Sequence, residues 1–157
     1  MENLRKIVLA ISNSSNKGKT STLREIAKIL IENFSPKIIL PKDSENQDVL
    51  NSIESGGDFS LVLNINGVMI GIESKGDPGT SLKTRLEQLV DMGCDVIICT
   101  CRTRGDTKND VNALKNNYSI IFSSTYSSTD CSQELLNQLN KKKAIHLIDL
   151  LQQFSFL

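Results

Sequence analysis

The chain has 157 residues, and eighteen Lys and Arg balance eighteen Asp and Glu to a formal net charge of zero. That length suits one domain with a real core, expected to run over residues 1–157. Zero net charge offers no broad basic field, and no apolar run approaches the ~20 residues that cross a bilayer, so neither nucleic acid nor a membrane is an expected partner.

The opening Met-Glu-Asn-Leu-Arg-Lys has neither an h-region nor a cleavage site and leads into an apolar run, which predicts a cytoplasmic protein. "KIVLAIS", Lys6 to Ser12, has the continuous β-branched character of a strand buried on both faces. After a polar loop, "TSTLREIAKILIENF" sets Leu23, Ala27, Leu30 and Phe34 on one stripe of an amphipathic helix. Ser35-Pro36 stops it, because proline disfavours helical angles in the residue before it. "KIIL", Lys37 to Leu40, predicts a short strand closed by Pro41.

Lys42 to Asp58 is polar, with a weak helical patch at "QDVLNSI" and a Gly56-Gly57 hinge. It reads equally as a mobile segment near a site and as a surface connection. In "FSLVLNINGVMIGIE" two apolar runs flank Asn66-Gly67, which predicts an antiparallel hairpin over about residues 59–72. "SLKTRLEQLVDMG" follows as a helix with Leu82, Leu86, Leu89 and Val90 inward and Gly93 at its end. The turn Asp77-Pro78-Gly79 precedes it, and Thr80 or Ser81 is placed to cap it.

"CDVIICTC" reads as a buried strand, "DTKNDVNALKNN" as a helix and "YSIIFSS" as a further strand. Cys131 to Phe154 forms one long helix or two short ones. Its leucines and isoleucines, Leu135, Leu139 and Ile145 among them, exceed one stripe. They either pack on the sheet or meet a protein partner, such as a second copy in a homodimer. Cys94, Cys99, Cys101 and Cys131 include no C-x-x-C pair, and His146, the sole histidine, lies far along the chain as a surface helix residue. The cysteines are expected to be small buried hydrophobes in a reducing compartment, and no metal is expected on them. The alternation of strands and helices predicts an α/β fold, a mostly parallel sheet covered on both faces.

The loop after the first strand carries the chemistry. Asn13 to Thr20, "NSSNKGKT", fits G-x-x-x-x-G-K-[ST] at every defining position except the first. Leaving a buried strand for a helix N-terminus, its backbone N–H groups and the helix macrodipole would meet an anion. Asn13, Ser14, Ser15, Asn16, Lys17, Gly18, Lys19, Thr20 and Ser21 are the expected phosphate contacts, with Lys19 on the terminal phosphates. Asparagine is the residue that next best tolerates the left-handed angles a first glycine would supply. The alternative is a polar N-cap loop that binds nothing.

Strand, "NSSNKGKT", helix and further α/β units resemble the P-loop NTPase superfamily, whose Walker A motif this loop matches apart from Asn13. The resemblance implies a three-layer sandwich that binds a nucleoside triphosphate with Mg²⁺. It also implies an acidic residue at the end of a second strand, acting on magnesium directly or through water. Glu73 closes "VMIGIE" and Asp77 follows four residues later, so these two join the Thr20 hydroxyl as expected metal ligands. Glu73-Ser74-Lys75-Gly76 also echoes the D-x-x-G of small GTPases.

Arg102 and Arg104 follow the next strand, where the resemblance to nucleoside-monophosphate-kinase-like proteins implies a clamp on the transferring phosphoryl group. The alternative is a solvated pair, with one arginine on Asp106 or Asp110. Lys19, Glu73, Asp77, Arg102 and Arg104 are thus the expected catalytic set. N-K-x-D, the guanine code, is missing, which makes ATP the default and GTP the second choice. Three functions share these parts: Mg²⁺-dependent hydrolysis, phosphoryl transfer by a small nucleotide- or metabolite-kinase-like enzyme, and a degenerate P-loop fold serving as a non-catalytic binding or assembly module. Asn13 and the lack of a D-D or D-E pair favour the third; Gly18-Lys19-Thr20 opposes it.

Overall fold

The computed structural model describes residues 6–13, 18–129 and 132–157. The most apolar runs became the central strands. β1 (Ile7–Ser12) sends Ile7, Leu9 and Ile11 into one core and Val8 and Ala10 into the other. α1 (Lys19–Phe34) covers the first core with Leu23, Ala27 and Leu30 fully buried, each leucine worth ~1.5–3 kcal/mol of transfer free energy. There follow β2 (Lys37–Leu40), α2 (Asn46–Glu54), β3 (Ser60–Ile65), β4 (Val68–Glu73), α3 (Leu82–Asp91), β5 (Val96–Cys101), α4 (Asp106–Asn112), β6 (Ser119–Ser123) and α5 (Gln133–Gln153).

The six-stranded sheet has the order β2-β3-β4-β5-β1-β6. β4, β5, β1 and β6 run parallel, while β3 pairs antiparallel with both β2 and β4. α1, α2 and α5 pack into the core on one face and α3 and α4 into the core on the other, an arrangement compatible with a three-layer sandwich. Among the described residues, no helix is long and apolar enough to cross a membrane.

Most expected elements are present. Asn66 and Gly67, with φ of 51° and 90°, turn the β3–β4 hairpin, as the left-handed angles of a type I′ turn require. Gly93 follows α3, and the segment after Cys131 is one 21-residue helix. Cys94, Cys99 and Cys101 are buried free thiols on the α3 side; Cys131 lies outside the described residues. Burial pushes the Cys94 and Cys101 thiols up to about 11 and Cys99 higher still, so they persist as neutral core groups.

Several expectations need correction. The hairpin is not the sheet's sole antiparallel pairing, because β2 returns to β3 in antiparallel register. The helical patch at "QDVLNSI" is present as part of α2, and residues 42–58 are more than a surface connection, because α2 buries Val49 and Ile53 in the α1 core. Its N-terminus has a capping box that glutamate and aspartate form, with Glu45 N–H donating to Asp48 Oδ2 at 3.1 Å. As expected, α1 stops before Pro36, and Ser35 leaves the right-handed helical region with a left-handed φ of 43°. Neither Thr80 nor Ser81 caps α3 through its side chain. The Thr80 hydroxyl donates to Asp77 O at 2.6 Å and Lys75 O at 3.2 Å, tightening the preceding turn instead.

Candidate functional site

Parallel pairing decides where the loops meet. Ser12 is in register with Cys101, Glu73 with Cys99, and Ile11 with Ser123. The carboxyl ends of β1, β4, β5 and β6 therefore share one edge, and the loops bearing Asn13, Asp77, Arg102 and Thr125 leave from it. Ser14, Ser15, Asn16 and Lys17 lie outside the described residues. Gly18, at φ 80°, is the N-cap residue of α1 and, as a glycine, offers the helix no side-chain cap. The left-handed angle calls for glycine, and a Cβ there would stand 2.7 Å from the side-chain oxygen of Asn140 of α5, which would have to shift. The Gly18 carbonyl accepts from Thr22 N at 2.9 Å and Thr22 Oγ1 at 2.8 Å.

Asn13 does not stand in for glycine through its backbone, because it is not among the described residues with positive φ. Its side chain acts instead. Nδ2 donates to Thr125 Oγ1 at 2.7 Å and ties the exit of β1 to the loop after β6. The departure from the glycine pattern thus supplies a cross-link between loops.

Lys19 and Arg102 come together on one carboxylate. Lys19 Nζ donates to Cys101 O at 3.2 Å and lies 3.8 Å from Asp77 Oδ1, with the residue only 7% exposed. Arg102 Nε donates to the same Asp77 oxygen at 2.9 Å. Burial lowers the Lys19 pKa; Asp77 opposes that shift, and the Arg102 charge adds to it. Arg102 is seated by its own N–H, which donates to Thr107 Oγ1 at 2.9 Å. Its partner is Asp77, not Asp106 or Asp110. Thr20 and Ser21 are half-buried in the first turn of α1, whereas Arg104 is exposed.

Glu73 faces a different environment. It is 2% exposed, accepting from Ser60 Oγ at 2.5 Å and from Lys75 N at 3.1 Å. Arg85 Nε of α3 lies 3.2 Å from Glu73 Oε1, an electrostatic contact without hydrogen-bond alignment. The same guanidinium donates to Lys75 O at 2.6 Å and to the Thr80 carbonyl. Thr100 Oγ1 donates to Ser74 O at 2.7 Å, and Gly76 lies hard against the Thr100 carbonyl. The loop from Ser74 to Ser81 is therefore braced from inside, and it presents Asp77, 59% exposed, outward.

Sequence reasoning missed Arg85, Asn140, Ser60 and Thr100. Asn140 left a faint trace, a polar residue on the stripe of Ala144, Leu147 and Leu151 that α5 buries against α1. Arg85 left none, since its counter-charge lies on another strand. On the remainder of α5, Ile145 is 38% exposed and His146 faces solvent. Among the described residues, no three His, Cys, Asp or Glu side chains converge as a metal site. Comparison with protein-family models, curated proteins and solved structures finds no match to this chain.

Proposed function

We propose that the chain is a P-loop type nucleoside triphosphate-binding protein, with ATP ahead of GTP, that hydrolyses or transfers the terminal phosphoryl group with Mg²⁺. The observation that carries the reading is the meeting of Lys19 and Arg102 at 3.8 and 2.9 Å from one carboxylate oxygen, beside the start of α1. Two cations and a helix N-terminus at the carboxyl edge of a parallel sheet favour a polyanion there. Lys19 and Arg102 would spread positive charge over phosphate oxygens, which is most of what phosphoryl transfer asks of a protein. Arg104, exposed on the same loop, is available to an incoming ligand.

Hard oxygen donors suit magnesium, and the Thr20 hydroxyl and the exposed Asp77 carboxylate fit it. Bound there, the ion would neutralise charge on the phosphates. Glu73, with both oxygens engaged, supports the site through Arg85 and the loop. Titration calorimetry of ATP and GTP with Mg²⁺ tests the reading on the intact protein and on Lys19→Ala. ATP should bind, and Lys19→Ala should weaken it at least about tenfold, the loss of one charge-assisted contact. Absence of nucleotide binding, or binding indifferent to Lys19, overturns the reading and leaves a helix cap in a binding module. Turnover without an added acceptor marks a hydrolase, and phosphate appearing on an added acceptor marks a phosphotransferase.

A further inference from the structure

We propose that Asp77 is a built-in counter-anion of the Lys19–Arg102 pair, so that the site admits polyphosphate in preference to simple anions. The inference rests on the phosphate-site reading above and adds what sets its selectivity. One oxygen, Asp77 Oδ1, meets both cations, at 3.8 Å from Lys19 Nζ and 2.9 Å from Arg102 Nε. A carboxylate in that position does what a bound phosphate oxygen would do: it relieves the repulsion between a buried ammonium and its neighbouring guanidinium.

The backbone fixes this arrangement. Arg85 holds Lys75 O and the Thr80 carbonyl, the Thr80 hydroxyl binds Asp77 O at 2.6 Å, and Gly76 is pressed on Thr100. Asp77 thus reaches the cations from an anchored turn, not as a chance surface pair. Its side chain, 59% exposed, can still swing to solvent by a rotamer change without moving the loop. The carboxylate is therefore fixed enough to compete for the cations and free enough to be displaced.

Selectivity follows from charge. A small anion that replaces Asp77 exchanges one modest charge for another and gains little. A polyphosphate brings several charges and several oxygens, enough to engage both cations and the N–H groups of α1 at once. Asp77 thus sets a threshold that a polyphosphate clears and a weak anion does not, and neutralising it raises the affinity of every displacing anion by a similar factor.

Calorimetric titration with metal-free inorganic pyrophosphate and inorganic phosphate tests this on the intact protein, Asp77→Asn and Lys19→Ala. Asp77→Asn should bind pyrophosphate about fivefold tighter or more, and phosphate should gain by a similar factor. Lys19→Ala should lose affinity for pyrophosphate. If Asp77→Asn binds pyrophosphate no better, or worse, while Lys19→Ala still loses it, the counter-anion role is overturned and the phosphate site stands. If Lys19→Ala binds as the intact protein does, or the intact protein and Asp77→Asn both fail to bind, the phosphate site and this inference fall together. An unchanged melting temperature of Asp77→Asn would show that the comparison reports affinity and not folding.

Discussion

Gly76→Ala is expected to destabilise the protein by about 3 kcal/mol, lowering the melting temperature by roughly 6–12 °C. A Cβ there would stand 2.0 Å from the Thr100 carbonyl oxygen and 2.3 Å from both the carbonyl carbon and Oγ1 of the same residue. Rotation of the Thr100 side chain could clear only the last of these contacts. The other two are backbone at the end of β5, held in the sheet by β1 and β4. The demand is one of space, since Gly76 is not among the glycines with positive φ. Gly79→Ala is the control: its φ is 81°, but an added Cβ meets nothing within 4 Å, and a cost of only about 1 kcal/mol is expected. Thermal and urea unfolding of the two variants measure the difference. Equal stabilities would show that the loop does not pack on β5 as described.

Removing the Glu73 side chain should cost a similar amount, about 3 kcal/mol, by leaving the Arg85 guanidinium without its buried counter-charge. Glu73 is 2% exposed and the Arg85 side chain 20%, so partial access of Arg85 to water keeps the loss at the lower end for broken buried pairs. Glu73→Gln keeps the size and an acceptor for Ser60 and Lys75 but loses the charge, and it should fall between the intact protein and Glu73→Ala. A double-mutant cycle of Glu73→Ala with Arg85→Ala, followed by urea unfolding, isolates the pair. A coupling above about 0.5 kcal/mol identifies contact between them. Glu73→Ala that unfolds like the intact protein while turnover disappears would instead make Glu73 a group of the chemistry and not of the scaffold.

The two carboxylates show why sequence reading stopped short of the site. From the sequence, Glu73 and Asp77 were equal candidates, four residues apart after one apolar run. The fold separated them: Ser60 across the hairpin and Arg85 one helix later took Glu73 inward, and Lys19 and Arg102 took Asp77. Arg102 and Arg104 likewise look alike in the sequence, and the fold sets the first on Asp77 and leaves the second exposed. In each case the deciding partner came from a distant part of the chain, and no local spacing encodes it.

What the sequence determined was local. Hydrophobic period distinguishes strand from helix because each geometry presents apolar side chains to a core at its own repeat, and Asn66-Gly67 and Gly93 mark ends by backbone angles few residues adopt. β1, the start of α1 and the hairpin were legible for that reason. The tertiary structure decided the order β2-β3-β4-β5-β1-β6, the antiparallel return of β2, the inward turn of Glu73 and the bridge of Asp77. Strand order and charge pairing depend on which surfaces meet across long separations, as between Lys19 and Cys101, and competition among those contacts is settled only when the whole sheet is assembled.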